Sequence, residues 1–164
     1  MERRKMIIAI DIAVIGISFV LVLLAVNYAR PLVISPVNDF STTNDSVLFS
    51  FQKGNIIEID DNPNFTSPQK ISAANNLVIN LEPGLYYWKV EGILDSSVRT
   101  ITIKSRVDLK LKDAGSQYQL VNAGNTLLNV DMYNGTKYTG NITLETEQSK
   151  NVSGTVFIGR QSNG

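Results

Sequence analysis

The sequence predicts an all-β protein preceded by one N-terminal transmembrane helix. Two observations predict this fold class. The chain opens with an apolar run from Met6 to Val26. After Pro31, short apolar or alternating runs recur about every ten residues between Asn-, Asp-, Gly-, Pro- and Ser-rich turns. No useful length of chain beyond Pro31 has the 3.6-residue apolar period of a helix.

The first element is a membrane anchor over residues 6–28. Its apolar run is long enough to cross a hydrocarbon layer of about 30 Å. Arg3, Arg4 and Lys5 precede the run, whereas Arg30 is the only basic residue between it and Lys53. This asymmetry predicts that residues 1–5 form a cytoplasmic tail and that the chain after Tyr28 lies outside. The length of the run, and the lack of a small-x-small cleavage site, favour an uncleaved signal anchor.

Asp11 is the one acidic residue within this apolar run. It lies within about two turns of the cytoplasmic end, where water or Arg4 can solvate it. The alternative is an intramembrane contact with a cation on another helix. Both interpretations keep the segment in the membrane, because the apolar residues outweigh one carboxylate near the end.

Seven strands are predicted between residues 31 and 105. Six of them are "PLVIS" (31–35), "SVLFSF" (46–51), "NIIEI" (55–59), "NLVINL" (76–81), "LYYWKVEG" (85–92) and "VRTITIKS" (98–105), with a short one near "QKIS". The intervening stretches, including "NDFSTTND" and "DDNPNFTSP", have the composition of loops. Strands at this spacing predict a β-sandwich.

The order of these motifs resembles a fibronectin type III-like, immunoglobulin-like domain. "SPVN", "SVLFSF", "IDDNPNF" and "LEPGLYYWKVEG" match its early proline strand, its Val-x-Phe strand, a loop and its tyrosine corner. The resemblance covers residues 31–105 and implies a sandwich but no activity. Phe51 stands where many members have tryptophan. The corner is one residue tighter than usual, so either Tyr86 or Tyr87 could have the corner role.

Period-two alternation assigns the aromatic residues of this strand to its two faces. Tyr86, Trp88 and Val90 share one face, which we predict to be buried together with Leu81. Tyr87 lies on the other face and is the better candidate for a surface contact. A carbohydrate-binding platform formed by these aromatic rings is the alternative.

The last third of the chain predicts a small second β-domain over residues 106–160. Its five predicted strands are "RVDLKLKD", "SQYQLVN", "TLLNVDMY", "TGNITLET" and "SGTVFIG". "DAG", "NAGN" and "YNGTK" predict turns of hairpin type. Residues 161–164 form a polar tail.

Composition excludes several classes of function. The chain has 15 basic and 15 acidic residues, which argues against nucleic-acid binding. It has no histidine and no cysteine, so disulfides, common zinc sites and Cys- or His-based nucleophiles are absent. In "DDNPNF" the sixth position is Phe65 rather than glycine, which departs from a calcium loop. We therefore predict no catalytic, cofactor-binding or metal-ligating residue.

Five Asn-x-Ser/Thr sequons occur, all in the part predicted to lie outside: Asn44, Asn64, Asn134, Asn141 and Asn151. They predict N-glycosylation at a cell surface, archaeal or eukaryotic, with the absence of cysteine favouring archaea. The alternative is a chain that is simply rich in Asn, Ser and Thr.

These observations predict a single-pass cell-membrane protein with extracellular β-domains. Its expected role is binding, adhesion or envelope structure without catalysis, with the lipid bilayer, other surface proteins or glycans as partners. An alternative is a type IV pilin-like filament subunit, although no glycine precedes its apolar run and Pro31 and Pro36 follow it directly. A cofactor-free hydrolase is a more distant alternative.

Overall fold

The computed structural model describes residues 2–115 and 117–162. One helix, α1 (Glu2–Ala29), is followed by β-strands. These are β1 (Leu32–Ser35), β2 (Phe40–Thr42), β3 (Ser46–Gln52), β4 (Ile56–Asp60), β5 (Gln69–Ser72), β6 (Asn76–Asn80), β7 (Gly84–Glu91), β8 (Arg99–Ile103), β9 (Leu109–Asp113), β10 (Tyr118–Asn122), β11 (Leu128–Asn134), β12 (Lys137–Leu144), β13 (Ser149–Val152) and β14 (Val156–Gln161). This confirms the prediction of a mostly β protein after one long apolar helix.

Helix α1 has 28 residues, a length of about 42 Å. The helix ends at Ala29, two residues before Pro31, because proline lacks the amide donor that a continuing helix needs. Among the described residues, α1 is the one helix long and apolar enough to cross a membrane, and none of its apolar window is buried by protein.

Hydrogen bonds order the described strands into four sheets: β1-β3-β6, β2-β8-β7-β4-β5, β13-β10-β9 and β12-β11-β14. In the five-stranded sheet, β4 pairs antiparallel with β5 and β7, so that Glu58 lies opposite Lys70 on one side and Lys89 on the other. The same register places Ile59 opposite Trp88. Alternation along β4 and β7 therefore separates an apolar face from a charged face.

The chain forms two compact units. The first unit comprises residues 1–37, 48–77 and 87–99. Its buried side chains include Phe49, Ile57, Trp88 and Val90. Phe49 of β3 meets Trp88 of β7 edge to face, with ring centroids 4.8 Å apart, a favoured aromatic geometry.

The second unit comprises residues 38–47, 78–86 and 100–164. One of its apolar clusters draws side chains from both three-stranded sheets of the last third: the buried residues Leu120, Leu128, Val130, Leu144 and Val152, with Leu109, Met132, Ile142 and Phe157 packed against them. Along β11 and β12 these side chains occupy every second position, as expected where one face of a sheet is covered. A small β core therefore forms there without disulfides.

Strand β2 corrects one prediction. It lies in "NDFSTTND", which the sequence assigned to a loop, and it pairs in parallel with β8 from Phe40 opposite Ile101 to Thr42 opposite Ile103. The three residues have no alternating apolar pattern because only Phe40 among them is apolar. Their pairing is fixed by the partner strand rather than by local sequence.

Two further predictions in the last third were wrong. Strand β13, "SKNV", was not predicted, because its polar residues lie at a sheet edge and only Val152 is buried. "NAGN" is not a hairpin turn, since β10 and β11 on either side of it belong to different sheets. Strand β14 includes Gln161, the first residue of the predicted tail, whereas residues 163 and 164 lie outside the described residues.

Candidate functional surfaces

The apolar helix is the first candidate surface. Its large apolar side chains from Met6 to Leu24 are each about half exposed or more. Asp11 is exposed with them, so the described residues leave its intramembrane contact a prediction. A helix that is apolar on all sides and covered by no protein needs an apolar environment, which a bilayer supplies.

The tyrosine and tryptophan residues of β7 have different positions. Trp88 and Val90 are fully buried, and Leu81 is nearly so. Tyr86 is half-buried, and its hydroxyl donates a hydrogen bond to the carbonyl of Glu82 at 3.0 Å. This bond, to the backbone four residues upstream, is the geometry of a tyrosine corner.

Tyr87 is half-buried on the opposite face of β7, where the backbone register places it opposite Asp60. Along the same face lies an ion-pair cluster that we call the Glu58 cluster, formed by Glu58, Lys70, Lys89, Glu91 and Asp95. Lys70 contacts Glu58 and lies 2.7 Å from Glu91. Lys89 lies 2.9 Å from both Glu58 and Asp95.

Glu58 is the centre of this cluster because its side chain is only 5% exposed. Burial alone would raise the pKa of its carboxyl group. Hydrogen bonds with Glu91, Lys70 and Lys89 outweigh burial and lower the pKa to about 2. Hydrogen bonds with Glu58 and Glu91 raise the pKa of Lys70, so both partners stay charged at neutral pH. No sequence pattern beyond alternation indicated this cluster, because its members come from three strands and a loop.

Asp60, the last residue of β4, binds the backbone of the loop that follows it. Asp60 accepts hydrogen bonds from the backbone amides of Asn62, at 3.1 Å, and Ser67, at 2.9 Å. The pKa of Asp60 is lowered chiefly by the bond from Ser67. Among the residues that the structure describes, no group of three or more Asp or Glu side chains is placed to hold a metal ion.

All five sequon asparagines are exposed. Asn64 lies in the loop after β4, and Asn44 in the turn before β3, where its side-chain oxygen accepts from the amide of Ser46. Asn134 ends β11 at the hairpin with β12, Asn141 lies in β12, and Asn151 lies in β13 at a sheet edge. An attached glycan would therefore meet solvent at each site.

The "NAGN" segment of the second unit borders a recess of about 450 Å³ whose lining includes Arg106 and Glu147. The side chain of Asn122 is fully buried and donates to the carbonyls of Thr126 and Leu144 at 2.8 and 3.1 Å. Its oxygen accepts from the amide of Gly124. These bonds satisfy both ends of the side-chain amide, so Asn122 shapes the recess rather than presenting a group to it.

Asn125, at the end of the same segment, is also bonded at both ends of its amide. It donates to the carbonyls of Thr43 and Lys104 at 2.9 and 3.0 Å and accepts from the amide of Arg106 at 2.6 Å. The sequence pattern indicated a turn here. It did not indicate that the two asparagines hold three separate segments of the unit together.

No protein-family model matches the chain, and no curated protein matches it either.

Proposed function

We propose that this chain is a single-pass cell-membrane protein that holds its β-domains outside the cell. The main support for this proposal is that helix α1 is long and apolar enough to cross a bilayer and is not covered by protein. The basic residues 3–5 before it favour a cytoplasmic N-terminus. The β-strands begin at Leu32, three residues after the helix ends at Ala29.

We further propose a fibronectin type III-like identity for residues 31–105. Strands β1, β3 and β6 form one sheet, and β5, β4, β7 and β8 are consecutive in another. If β2 is set aside as an addition, this is the A-B-E and C′-C-F-G order of such domains. The Tyr86 corner and the buried Trp88 support the same assignment.

The proposed role is binding, adhesion or envelope structure, with surface proteins or glycans as partners. Supporting it, the charged face of β4, β5 and β7 presents Tyr87 beside the ordered Glu58 cluster. Fixed side chains on a sheet lose little conformational entropy when a partner binds. The exposed sequons support glycosylation of the same extracellular region.

A filament subunit of the pilin-like type is the second candidate. The uncovered, apolar helix favours it, because such a helix could pack against copies of itself. The direct change from helix to strand after Pro31 weighs against a helix that continues into the head.

Protease treatment of intact cells, with intact mass of the purified protein, tests these proposals. An anchored surface protein has the full-length mass plus any glycans, and external protease digests it beyond residue 30. A mass beginning near Met6 would instead indicate a processed filament subunit. Protection of the β region on intact cells would contradict both the topology and the surface role.

A further inference from the structure

The end of helix α1 is held against the first unit by two contacts. Lys53 Nζ lies 3.7 Å from the centre of the Tyr28 ring and donates to the Tyr28 carbonyl at 3.3 Å. Pro31 is buried, and a methyl group added at Gly92 would lie 2.9 Å from the Pro31 ring and 2.7 Å from the Lys53 carbonyl. Residues 53 and 92 are therefore adjacent to the point where the chain leaves the helix.

The loop that begins at Gly92 presents an apolar tip at this place. Ile93 is 87% exposed, the highest exposure of any large apolar side chain that the structure describes, and Leu94 follows at 39%. Ile93 lines a shallow cavity together with Lys53 and Gly54. The tip therefore lies beside Lys53, which itself contacts Tyr28 at the end of the helix.

The base of this loop is firmly bonded. Ser96 donates its backbone amide to the carbonyl of Val90 and accepts from the Val90 amide through its hydroxyl, both at 2.9 Å. Asp95 lies 2.9 Å from Lys89 Nζ, so the acidic group nearest the tip is paired. The exposure of Ile93 is thus a feature of an ordered loop.

We propose that Ile93 and Leu94 insert into the interfacial layer of the same bilayer that α1 crosses. This inference rests on the proposed function, because it requires α1 to be in the membrane. Tyr28 lies at the end of the apolar segment, where aromatic side chains favour the headgroup level. Lys53 contacts Tyr28, and Ile93 is adjacent to Lys53. The apolar tip should therefore lie at the same headgroup level as Tyr28. Apolar side chains at that depth are removed from water.

Nitroxide labels on single cysteines measure this depth directly, because the chain contains no cysteine of its own. The full chain is reconstituted in phosphatidylcholine vesicles as three variants: I93C, S67C and I17C. Ser67 is the matched control, since it is an exposed loop residue of the same unit and bonds Asp60, at the opposite end of β4 from Ile56. Ile17 lies in the middle of the helix.

The readout is the ratio of oxygen to nickel-complex accessibility at each label. We expect a high ratio at residue 17, a low one at 67 and an intermediate one at 93, independent of the protein-to-lipid ratio. A ratio at 93 equal to that at 67, with 17 still high, overturns the insertion and leaves the anchor intact. A ratio at 93 that rises above the ratio at 67 only at a high protein-to-lipid ratio would mean contact with another copy of the chain. That result also overturns the proposed insertion. A low ratio at 17 would refute the anchor itself.

Discussion

Replacing Glu58 with glutamine tests whether the Glu58 cluster stabilises the first unit through charge. The substitution keeps the size and one hydrogen-bond acceptor of the side chain and removes its charge. Lys70 and Lys89, which flank Glu58 on the neighbouring strands, would lose their shared carboxylate. The apolar face of β4 would not change, because Ile57 and Ile59 point to the other side.

The magnitude follows from the pKa of Glu58, which is lowered from 4.5 to about 2. At 1.36 kcal/mol for each pKa unit, that shift corresponds to at most about 3 kcal/mol. Lys70 is 54% exposed, and solvent screening weakens exposed pairs. We therefore expect the variant to lose about 1–2 kcal/mol of unfolding free energy at pH 7.

The pH dependence has a definite sign. A carboxyl group whose pKa is lowered by folding stabilises the protein above its unfolded pKa, and this contribution is lost as pH falls through the folded value. The deficit of the variant should therefore be full at pH 7 and should decline from about pH 4.5 towards pH 2.

Urea unfolding of the full chain in mild detergent, followed by the fluorescence of Trp88, measures this deficit. Trp88 is a suitable probe because it is the only tryptophan and is fully buried. Asp61→Asn is the matched control: an exposed carboxylate of the same unit, expected to change stability by less than about 0.5 kcal/mol. A deficit that is equal at pH 7 and pH 2.5, or absent at pH 7, would refute the electrostatic explanation.

Four further substitutions test other parts of the fold by urea unfolding followed by far-ultraviolet circular dichroism, which reports on the strands of both units. Asn122→Ala leaves buried backbone groups without partners and should cost about 2–4 kcal/mol; a cost below about 1 kcal/mol would contradict the bonding described. Gly124→Ala places a methyl group 2.1 Å from the Arg106 carbonyl and should cost at least about 2 kcal/mol, so an unchanged midpoint would refute this close approach. Tyr86→Phe should cost about 1 kcal/mol, whereas Tyr87→Phe should be neutral; the reverse order would assign the corner to Tyr87.

Much of the fold was predictable because most strands alternate between buried and exposed residues in their own sequence. In β3, "SVLFSFQ", Val47, Phe49 and Phe51 are buried and the residues between them are more exposed. This alternation is visible without a structure. The helix was predictable for a similar reason, since its apolar run is uninterrupted apart from a few small or polar residues and ends before Pro31.

The missed features depend on residues that are distant in sequence. Strand β2 is defined by its parallel partner β8, about 60 residues away, and the polar β13 by its place beside β10. The Glu58 cluster combines side chains from residues 58 to 95. Local composition contains no information on such pairings, because the same polar residues also form ordinary loops.

The apolar tip formed by Ile93 and Leu94 was not predicted for a different reason. Ile93 and Leu94 form too short an apolar pair to stand out from the strand before them. The close approach of Gly92 to Pro31 places these two residues beside the end of the helix. Only the folded chain supplies that proximity.

Labelling with a membrane-impermeant maleimide tests the proposed membrane topology. Two single-cysteine variants, E2C at the N-terminal end of α1 and S67C in the exposed loop after β4, are expressed in cells and labelled either before or after lysis. If the β-domains lie outside, S67C reacts on intact cells, whereas E2C reacts only after lysis. Reaction of E2C on intact cells with protection of S67C would mean that the β-domains lie inside, and the proposed surface function would be wrong.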